Sequence, residues 1–308
     1  MQVQWYPGHM NRAAREIEAV LPQINVFLEI LDARLPYSSQ NPMLEEIRGT
    51  KPCLRVLNKS DLACPEATQQ WLDYFSGDDQ VDYIAVSRDD PAQITGVVDR
   101  CRTLARSGKI VGGDIFVLVS GIPNVGKSSI INTLAGRSVA KTGNEPAITR
   151  GQQRINLRNG VQLYDTPGVL WPNIEHPDHG QRLAVTGAIR DTAMDYQSAA
   201  DFAATFLLEN ARDQLLERFQ LEDIPNSEQE LLQSIGRARN ALRRGGVIDY
   251  EKVSQLLIHE IRDGLLGPLT WEHPGQIEKE RLEVLALREA REAKKKARKT
   301  RYKSNRDA

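Results

Sequence analysis

The residues best suited to chemistry lie in a glycine-rich segment near the middle of the chain. Gly121–Ser128 (GIPNVGKS) fits the pattern G-x-x-x-x-G-K-[ST] at every fixed position. In such a loop, backbone N–H groups surround phosphate oxygens, the lysine reaches the β- and γ-phosphates, and the hydroxyl binds Mg²⁺. Lys127 is therefore a catalytic as well as a binding candidate, and Ser128 a Mg²⁺ ligand. The alternative is a glycine-rich turn that binds nothing. The residues expected to contact the nucleotide are Asn124, Val125, Gly126, Lys127, Ser128 and Ser129.

A second segment indicates which base is bound. Asn58-Lys59-Ser60-Asp61 ends an apolar run, and Asn-Lys-x-Asp resembles the guanine-recognition motif of GTPases. The Asp61 carboxylate can accept from both N1–H and the exocyclic N2 amino group of guanine, whereas adenine offers neither donor there. Asn58 would contact the N7/O6 side, and the Lys59 stem would cover the ring. The alternative is an ordinary turn at a strand end. Ser87 is the nearest candidate for a further base-side contact.

A third segment could sense the terminal phosphate. Asp165-Thr166-Pro167-Gly168 fits D-x-x-G, in which Asp165 would hold Mg²⁺ through water and the Gly168 N–H would sense the γ-phosphate. Thr149, between the phosphate loop and Asp165, is the candidate Mg²⁺ ligand of a first switch. Val169 follows, where many GTPases place a glutamine that orients the attacking water. An apolar side chain cannot do this, so another group must.

His9 is the candidate for that role, because a neutral imidazole can orient water or accept a proton near pH 7. The alternative is that the segment before the first helix only packs and caps it. Asn124 carries a further hypothesis. An asparagine in the phosphate loop resembles that of K⁺-activated GTPases, where its carbonyl would help bind K⁺ beside the β–γ bridge. The alternative is an asparagine that suits the geometry of the turn.

The elements that position these segments read as an α/β fold. Apolar runs predict buried strands, and Asn159-Gly160 predicts a hairpin between two further strands. After Pro172 the sequence becomes helix-rich. The predicted strands are 24–31, 53–57, 83–85, 114–120, 154–157 and 161–164; the helices between them are 10–21, 42–48, 65–74, 92–107 and 127–135; the later helices are 199–209, 211–219, 227–244 and 250–263. The predicted domains are a GTPase domain at 1–175, a helical domain at 176–285 and a basic tail at 286–308.

The order of the motifs is unusual, because Asn58–Asp61 precedes Gly121–Ser128 by about sixty residues. A sheet can survive such an order if the old termini are joined and a new break falls in a surface connection. Together with Trp5–Met10 (WYPGHM) and Asp32–Pro36 (DARLP), the motifs resemble the ribosome biogenesis GTPase A family. The resemblance implies a circularly permuted P-loop NTPase domain followed by an all-α C-terminal domain. It also implies GTP hydrolysis to GDP, with Mg²⁺, in late assembly of the large (50S) ribosomal subunit.

Charge is unevenly distributed along the chain. The 308 residues hold 40 Lys+Arg and 41 Asp+Glu, but the last 21 residues carry ten basic and three acidic side chains. The tail is thus +7 and the rest −8, which predicts a polyanion-seeking tail. For the arginines of the helical domain, the alternative to RNA contact is a solvated helix surface. For the protein as a whole, the alternative function is a GTP-dependent switch whose helical domain binds a protein partner. The candidate contacts to ribosomal RNA are Arg237, Arg243, Lys294, Lys295, Lys296, Arg298 and Lys299.

Composition excludes several other classes of protein. Cys53, Cys64 and Cys101 lack the spacing of a zinc site or a disulfide framework. No apolar run approaches the roughly 20 residues that span a bilayer, and the first residues do not have the layout of a signal peptide. We therefore expect a cytoplasmic monomer that makes no membrane contact, with the precursor of the large subunit and its RNA as partners.

Overall fold

The computed structural model describes residues 8–77, 80–107, 113–140 and 152–304, with the backbone alone at 8–11, 291–292 and 294–304. A six-stranded sheet has the order β3-β2-β1-β4-β6-β5. All neighbouring strands are parallel except β5, which pairs antiparallel with β6. The strands are β1 (Val26–Asp32), β2 (Cys53–Asn58), β3 (Val81–Val86), β4 (Ile115–Ser120), β5 (Gln153–Asn156) and β6 (Val161–Asp165).

Eleven α-helices accompany the sheet in the described residues. The first precedes β1 and the next four connect strands, which is the alternation that parallel pairing requires. The last six follow β6, and residues 166–304 form no further named strand. They are α1 (Gly8–Val20), α2 (Pro42–Arg48), α3 (Pro65–Phe75), α4 (Pro91–Ser107), α5 (Lys127–Ala135), α6 (Pro177–Val185), α7 (Tyr196–Asn210), α8 (Arg212–Phe219), α9 (Glu228–Ala238), α10 (Tyr250–Arg262) and α11 (Pro274–Ser304).

The strand register brings the candidate motifs to one edge of the sheet. Asp32 at the end of β1 pairs with Asn58 at the end of β2. Val119 near the end of β4 pairs with Asp165 at the end of β6. Because parallel strands end at the same edge, the phosphate, base and switch motifs lie side by side there. Every residue of β1 is buried, as expected for a strand covered on both faces.

A continuous apolar core joins the sheet to the later helices. Val119 of β4 and Val169 belong to the same buried cluster as Ala203 of α7 and Leu257 of α10. Trp271, in the segment before α11, is 1% exposed and belongs to this cluster too. The helical region therefore packs directly on the part of the chain that carries the motifs.

The predicted helix 227–244 is wrong at its C-terminal end. Helix α9 ends at Ala238, because Asn240 takes a left-handed conformation (φ 50°) and the Ala241 N–H bonds back to the Gly236 carbonyl. This arrangement closes a helix without a glycine at the left-handed position. Arg243 consequently lies in the tight turn that follows, and only Arg237 of the RNA candidates here is in the helix.

The basic tail does not begin a separate element. Residues 286–304 are the distal part of α11, whose first turns are anchored in the body. Ile277 is fully buried against Trp71 and Phe75 of α3. Lys294, Lys295, Lys296, Arg298 and Lys299 all lie on this helix. Among the helices of the described ranges, none is long and apolar enough to cross a membrane.

Candidate functional site

The phosphate loop connects β4 to α5 and is tied to the base motif. Asn58 Nδ2 donates to the Val125 carbonyl at 2.7 Å. Gly126 has φ +93°, and a Cβ there would lie 2.3 Å from Asn58 Nδ2. Only glycine therefore lets the two motifs approach so closely. The side chain predicted to contact guanine thus also holds the phosphate loop in place.

Lys127 begins α5 and is buried inside the loop. Its Nζ donates to the Ile122 carbonyl at 2.7 Å and the Gly121 carbonyl at 3.2 Å. Burial lowers the pKa of this ammonium to about 8, although the nearby Asp165 carboxylate acts in the opposite direction. The first N–H groups of a helix have no partner within the helix. A positive side chain and these amides together form a site for a polyanion.

The third motif packs against this loop. A Cβ on Gly168 would lie 2.9 Å from the Pro123 nitrogen and 3.1 Å from Lys127 Nζ. The Val169 N–H donates to the Gly121 carbonyl at 3.2 Å. Gly168 is therefore in direct contact with the phosphate loop, as a residue that senses the γ-phosphate must be.

The Asp165 carboxyl fits a hydrated cation. Its Oδ1 is buried without a hydrogen-bond partner among the described residues. Burial raises the pKa of this carboxyl to about 6, against the effect of Lys127. An unsatisfied buried carboxylate oxygen is costly, and a Mg²⁺-bound water would satisfy it. Thr149, the other predicted switch ligand, lies outside the described residues.

Lys59 of the base motif shares the buried Asp32 carboxylate with Arg34. Lys59 is left-handed (φ 62°), and its Nζ donates to Asp32 Oδ2 at 2.8 Å. Arg34 binds both oxygens of the same carboxylate, at 2.9 and 2.8 Å. Burial alone would raise the pKa of Asp32, but Arg34 and Lys59 hold it well below its usual range. The sequence analysis missed the link between Asp32 and Lys59, because a contact between two strand ends has no local signature.

The structure also brings Ser87 to the base motif. Ser87 Oγ donates to Asp61 Oδ1 at 2.8 Å. Ser87 directly follows β3, the neighbour of the strand that carries Asn58. The proposed base contacts Asn58, Lys59, Asp61 and Ser87 therefore come from the ends of two adjacent strands.

Asn124 has two properties that bear on its role. It is left-handed (φ 60°), which fits an asparagine chosen for the shape of the turn. Its Nδ2 also donates to the Gly187 carbonyl at 2.8 Å, beyond the end of α6. This contact between the phosphate loop and the helical region was not predicted. A role in binding K⁺ stays a prediction.

Val169 cannot contact an attacking water. It is fully buried, and its carbonyl accepts from Asn41 Nδ2 at 2.7 Å. His9 lies in the first turn of α1, and its side chain is outside the described residues.

Of the RNA candidates, Arg237 is exposed, while exposed Arg243 pairs with Asp249 at 3.0 Å.

One histidine cluster away from this edge has metal-ligating side chains. Ligand atoms of His176, His179 and Glu280 lie within 4.8 Å of one another. Arg182, which is 1% exposed, occupies both Glu280 oxygens at 2.8 and 2.6 Å. A metal ion would have to displace this guanidinium and leave it buried and unpaired. The cluster is therefore an ion-paired junction between α6 and α11.

We expect Mg²⁺ binding in the presence of GDP to weaken in acid. The Asp165 carboxyl has a pKa of about 6, so it is protonated below that pH and must lose its proton to receive the hydrated ion. The apparent affinity should fall about tenfold between pH 7 and pH 5. Mg²⁺ titration of the complex with a fluorescent GDP analogue measures this fall. Asp165→Asn should bind Mg²⁺ weakly with little pH dependence; a fall of the same size in that variant would contradict the assignment.

Known proteins resemble the chain over most of its length. A protein-family model described as "50S ribosome-binding GTPase" matches residues 116–236. Ribosome biogenesis GTPase A of Priestia megaterium is 40% identical over 286 residues, covering 90% of this chain and 99% of that protein. The protein of the same name from Bacillus cereus is 42% identical over 283 residues, covering 89% and 95%.

Solved structures agree with these relatives. The GNP-bound crystal structure of YlqF from Thermotoga maritima superposes with a TM-score of 0.62 at 28% identity, covering 86% of this chain and 99% of that one. A GDP-bound YlqF structure has a TM-score of 0.61 at 27% identity, with coverage of 85% and 100%. The similarity thus spans both the sheet with its motifs and the helices that follow.

Proposed function

Because the chain belongs to the ribosome biogenesis GTPase A family, and is a GTP-hydrolysing enzyme of ribosome biogenesis, we propose that it acts late in maturation of the large (50S) subunit. The observation that carries this proposal is the extent of the match described as "50S ribosome-binding GTPase". It runs from β4 into α9 and so includes both the phosphate loop and the first helices that follow the sheet, α6 to α8 and most of α9. The substrate is GTP, the products are GDP and phosphate, and the partner is a large-subunit precursor.

The domain organisation that we propose is a circularly permuted GTPase domain at 1–175, an all-α domain at 176–285 and a basic tail at 286–308. The sheet supports the permutation. Strands β2 and β3, which carry the base contacts, come before β4 in the chain yet extend the same parallel sheet. Base and phosphate motifs thus meet at one edge despite their reversed order.

The roles of the site residues follow from their placement. Lys127 and the amides of residues 124–129 would bind the phosphates, and the base contacts would come from Asn58, Lys59, Asp61 and Ser87. Ser128 and Thr149, with Asp165 through water, would hold Mg²⁺, which when bound neutralises charge on the β- and γ-phosphates. The Gly168 N–H would bind the γ-phosphate. The buried Asp165 oxygen supports the metal assignment.

His9 is proposed to position the attacking water, since Val169 is buried in the core. His9→Ala should lower kcat by about 100-fold or more, because positioned acid–base groups typically contribute 10²–10⁴. GTP affinity should stay near the wild-type value. Single-turnover hydrolysis on the large-subunit particle measures the effect. His273→Ala, which removes an exposed histidine far along the chain at the start of α11, is the control. Wild-type turnover of His9→Ala on the particle would remove His9 from the mechanism.

K⁺ is proposed as a second cation, held in part by the Asn124 carbonyl and neutralising charge that develops during hydrolysis. We expect faster hydrolysis in KCl than in NaCl at equal ionic strength, and Asn124→Ala should lose that difference. Equal rates of the wild-type protein in the two salts would reject the cation role.

RNA contact is proposed for α11, for the exposed end of α9 and for the turn that follows α9. The basic run on α11 is Lys294, Lys295, Lys296, Arg298 and Lys299, to which Arg237 and Arg243 are added. The protein would be a cytoplasmic monomer that is recruited by RNA phosphates. Such recruitment weakens steeply with salt.

The test is GTPase activity and particle binding with purified large and small subunits across a salt series. Stimulation by large-subunit precursors and not by small subunits supports the proposal. Replacing Lys294, Lys295 and Lys296 by glutamine should weaken particle binding and reduce its salt dependence by about three units of slope at most. Unchanged binding of that variant favours the alternative, a GTP-dependent switch whose helical domain binds a protein partner. No stimulation by either subunit would overturn the proposal.

A further inference from the structure

The end of helix α6 is contacted from three directions by polar side chains. The segment Ala184–Gly187, called here the 184–187 turn, contains the last two residues of α6 and the two that follow, and its Gly187 N–H donates to the Ala184 carbonyl at 3.2 Å. Arg34 Nη2 donates to the Thr186 carbonyl at 3.2 Å. Asn124 Nδ2 donates to the Gly187 carbonyl at 2.8 Å.

Both of these donors belong to the nucleotide pocket. Arg34 shares the Asp32 carboxylate with Lys59 of the base motif. Asn124 is part of the phosphate loop. The 184–187 turn therefore contacts the base side of the pocket at one carbonyl and the phosphate side at the next. A displacement of the turn would disturb the supports of both.

The third donor comes from the helical region. Arg262, the last residue of α10, donates from Nε to the Val185 carbonyl at 3.1 Å and from Nη2 to the Ala184 carbonyl at 2.8 Å. Its Nη1 pairs with Asp191 at 2.8 Å. A Cβ on Gly187 would lie 3.2 Å from Arg262 Nε, so the turn lies directly against the guanidinium.

We propose that Arg262 is a positioning residue for nucleotide binding, which acts by holding the 184–187 turn against Arg34 and Asn124. Because Arg262 ends α10, any partner that moves α10 changes the anchoring of the turn. Binding linkage is reciprocal, so nucleotide occupancy then changes the affinity of the helical region for that partner by the same factor. This inference requires only nucleotide binding and does not depend on the ribosomal partner proposed above.

The test measures GDP dissociation from the isolated full-length protein. Arg262→Gln should release a fluorescent GDP analogue about fivefold faster or more, since typical couplings between sites are 5–150-fold. The matched control is Arg218→Gln. Arg218 lies on α8 and pairs with Glu260 of the same helix α10 at 2.7 Å, but among the described residues it makes no hydrogen bond to the 184–187 turn. Its loss removes an equivalent ion pair and should leave GDP dissociation within about twofold of wild type.

Two further variants separate positioning from loss of structure. Arg262→Lys keeps a cation that can pair with Asp191 and donate to one carbonyl, so it should restore part of the slow dissociation. If Arg262→Gln does not fold, Asp191→Asn loosens Arg262 at a half-exposed partner and should accelerate release by a smaller factor. Thermal unfolding of each variant is measured alongside. The inference fails if Arg262→Gln, or Asp191→Asn in its place, releases GDP at the same rate as Arg218→Gln.

Discussion

Replacing Lys127 by alanine is expected to lower kcat/KM for GTP by about 10²–10³-fold, the usual cost of losing one preorganised charge donor. The ammonium is held inside the phosphate loop by the Ile122 and Gly121 carbonyls. Burial lowers its pKa to about 8, so the group is mostly charged at neutral pH, and bound phosphates would favour the charged form further. Lys127 is the one basic residue of α5, whose first backbone amides are the proposed phosphate contacts.

Lys51→Ala is the matched control for this variant. Lys51 Nζ also donates to a backbone carbonyl, that of Ile24 at 2.8 Å, but it precedes β2 and so lies at the opposite edge of the sheet. Its loss should leave hydrolysis unchanged. Steady-state GTPase assays and equilibrium nucleotide binding measure both variants. If Lys127→Ala kept wild-type hydrolysis, the assignment of this loop as the GTP site would be wrong, and a nucleotide-independent action on RNA would become the better hypothesis.

Asp61→Asn is expected to exchange guanine for xanthine specificity. The carboxylate accepts from N1–H and from the N2 amino group of guanine, whereas an asparagine amide keeps one acceptor and places a donor against the amino group. Losing one hydrogen bond to a charged acceptor and creating this donor–donor contact should weaken GTP binding about 100-fold. Xanthine carries a carbonyl at position 2, which accepts from the new amide. XTP should therefore bind the variant more tightly than GTP does.

The Asp61→Asn substitution leaves the other hydrogen bond of this side chain in place. Ser87 Oγ donates to Asp61 Oδ1, and an asparagine oxygen can still accept that bond. The control is Asp73→Asn, an exposed aspartate on α3 whose Oδ1 accepts from Gln69. It should bind GTP and XTP as the wild-type protein does. Competition binding with GTP, XTP and ATP measures the order of affinities, and unchanged preference for GTP in Asp61→Asn would exclude Asp61 from base recognition.

The parts of the fold that could be predicted from sequence are those determined by local chemistry. The phosphate loop is a segment of eight residues that needs glycine where its backbone is left-handed, and Gly126 occupies such a position. Asn159-Gly160 predicts the hairpin that joins β5 to β6. Buried parallel strands have continuous apolar runs, which is why the apolar run at 114–120 predicts β4 to within one residue.

The parts that could not be predicted depend on neighbours far along the chain. The end of α9 depends on the left-handed Asn240 and on burial of Ala241, and a pattern of helix-forming residues continues past both. The role of Asn58 as a support for Val125 depends on the sheet order β2-β1-β4, which brings together two residues that are 67 positions apart in the chain. The junction of His179 and Arg182 with Glu280 likewise joins segments about a hundred residues apart.

The sequence by itself determined that this protein has the chemistry of a GTPase, because phosphate, base and Mg²⁺ recognition require particular residue types at short, local spacings. It also separated a basic tail from an acidic body, since charge can be counted without coordinates. Only the tertiary structure decided how these parts are connected. Asn124, Arg34 and Arg262 meet at the 184–187 turn because strand order and helix packing bring their segments together, and hydrogen bonds between such distant segments leave no periodic signal in the chain.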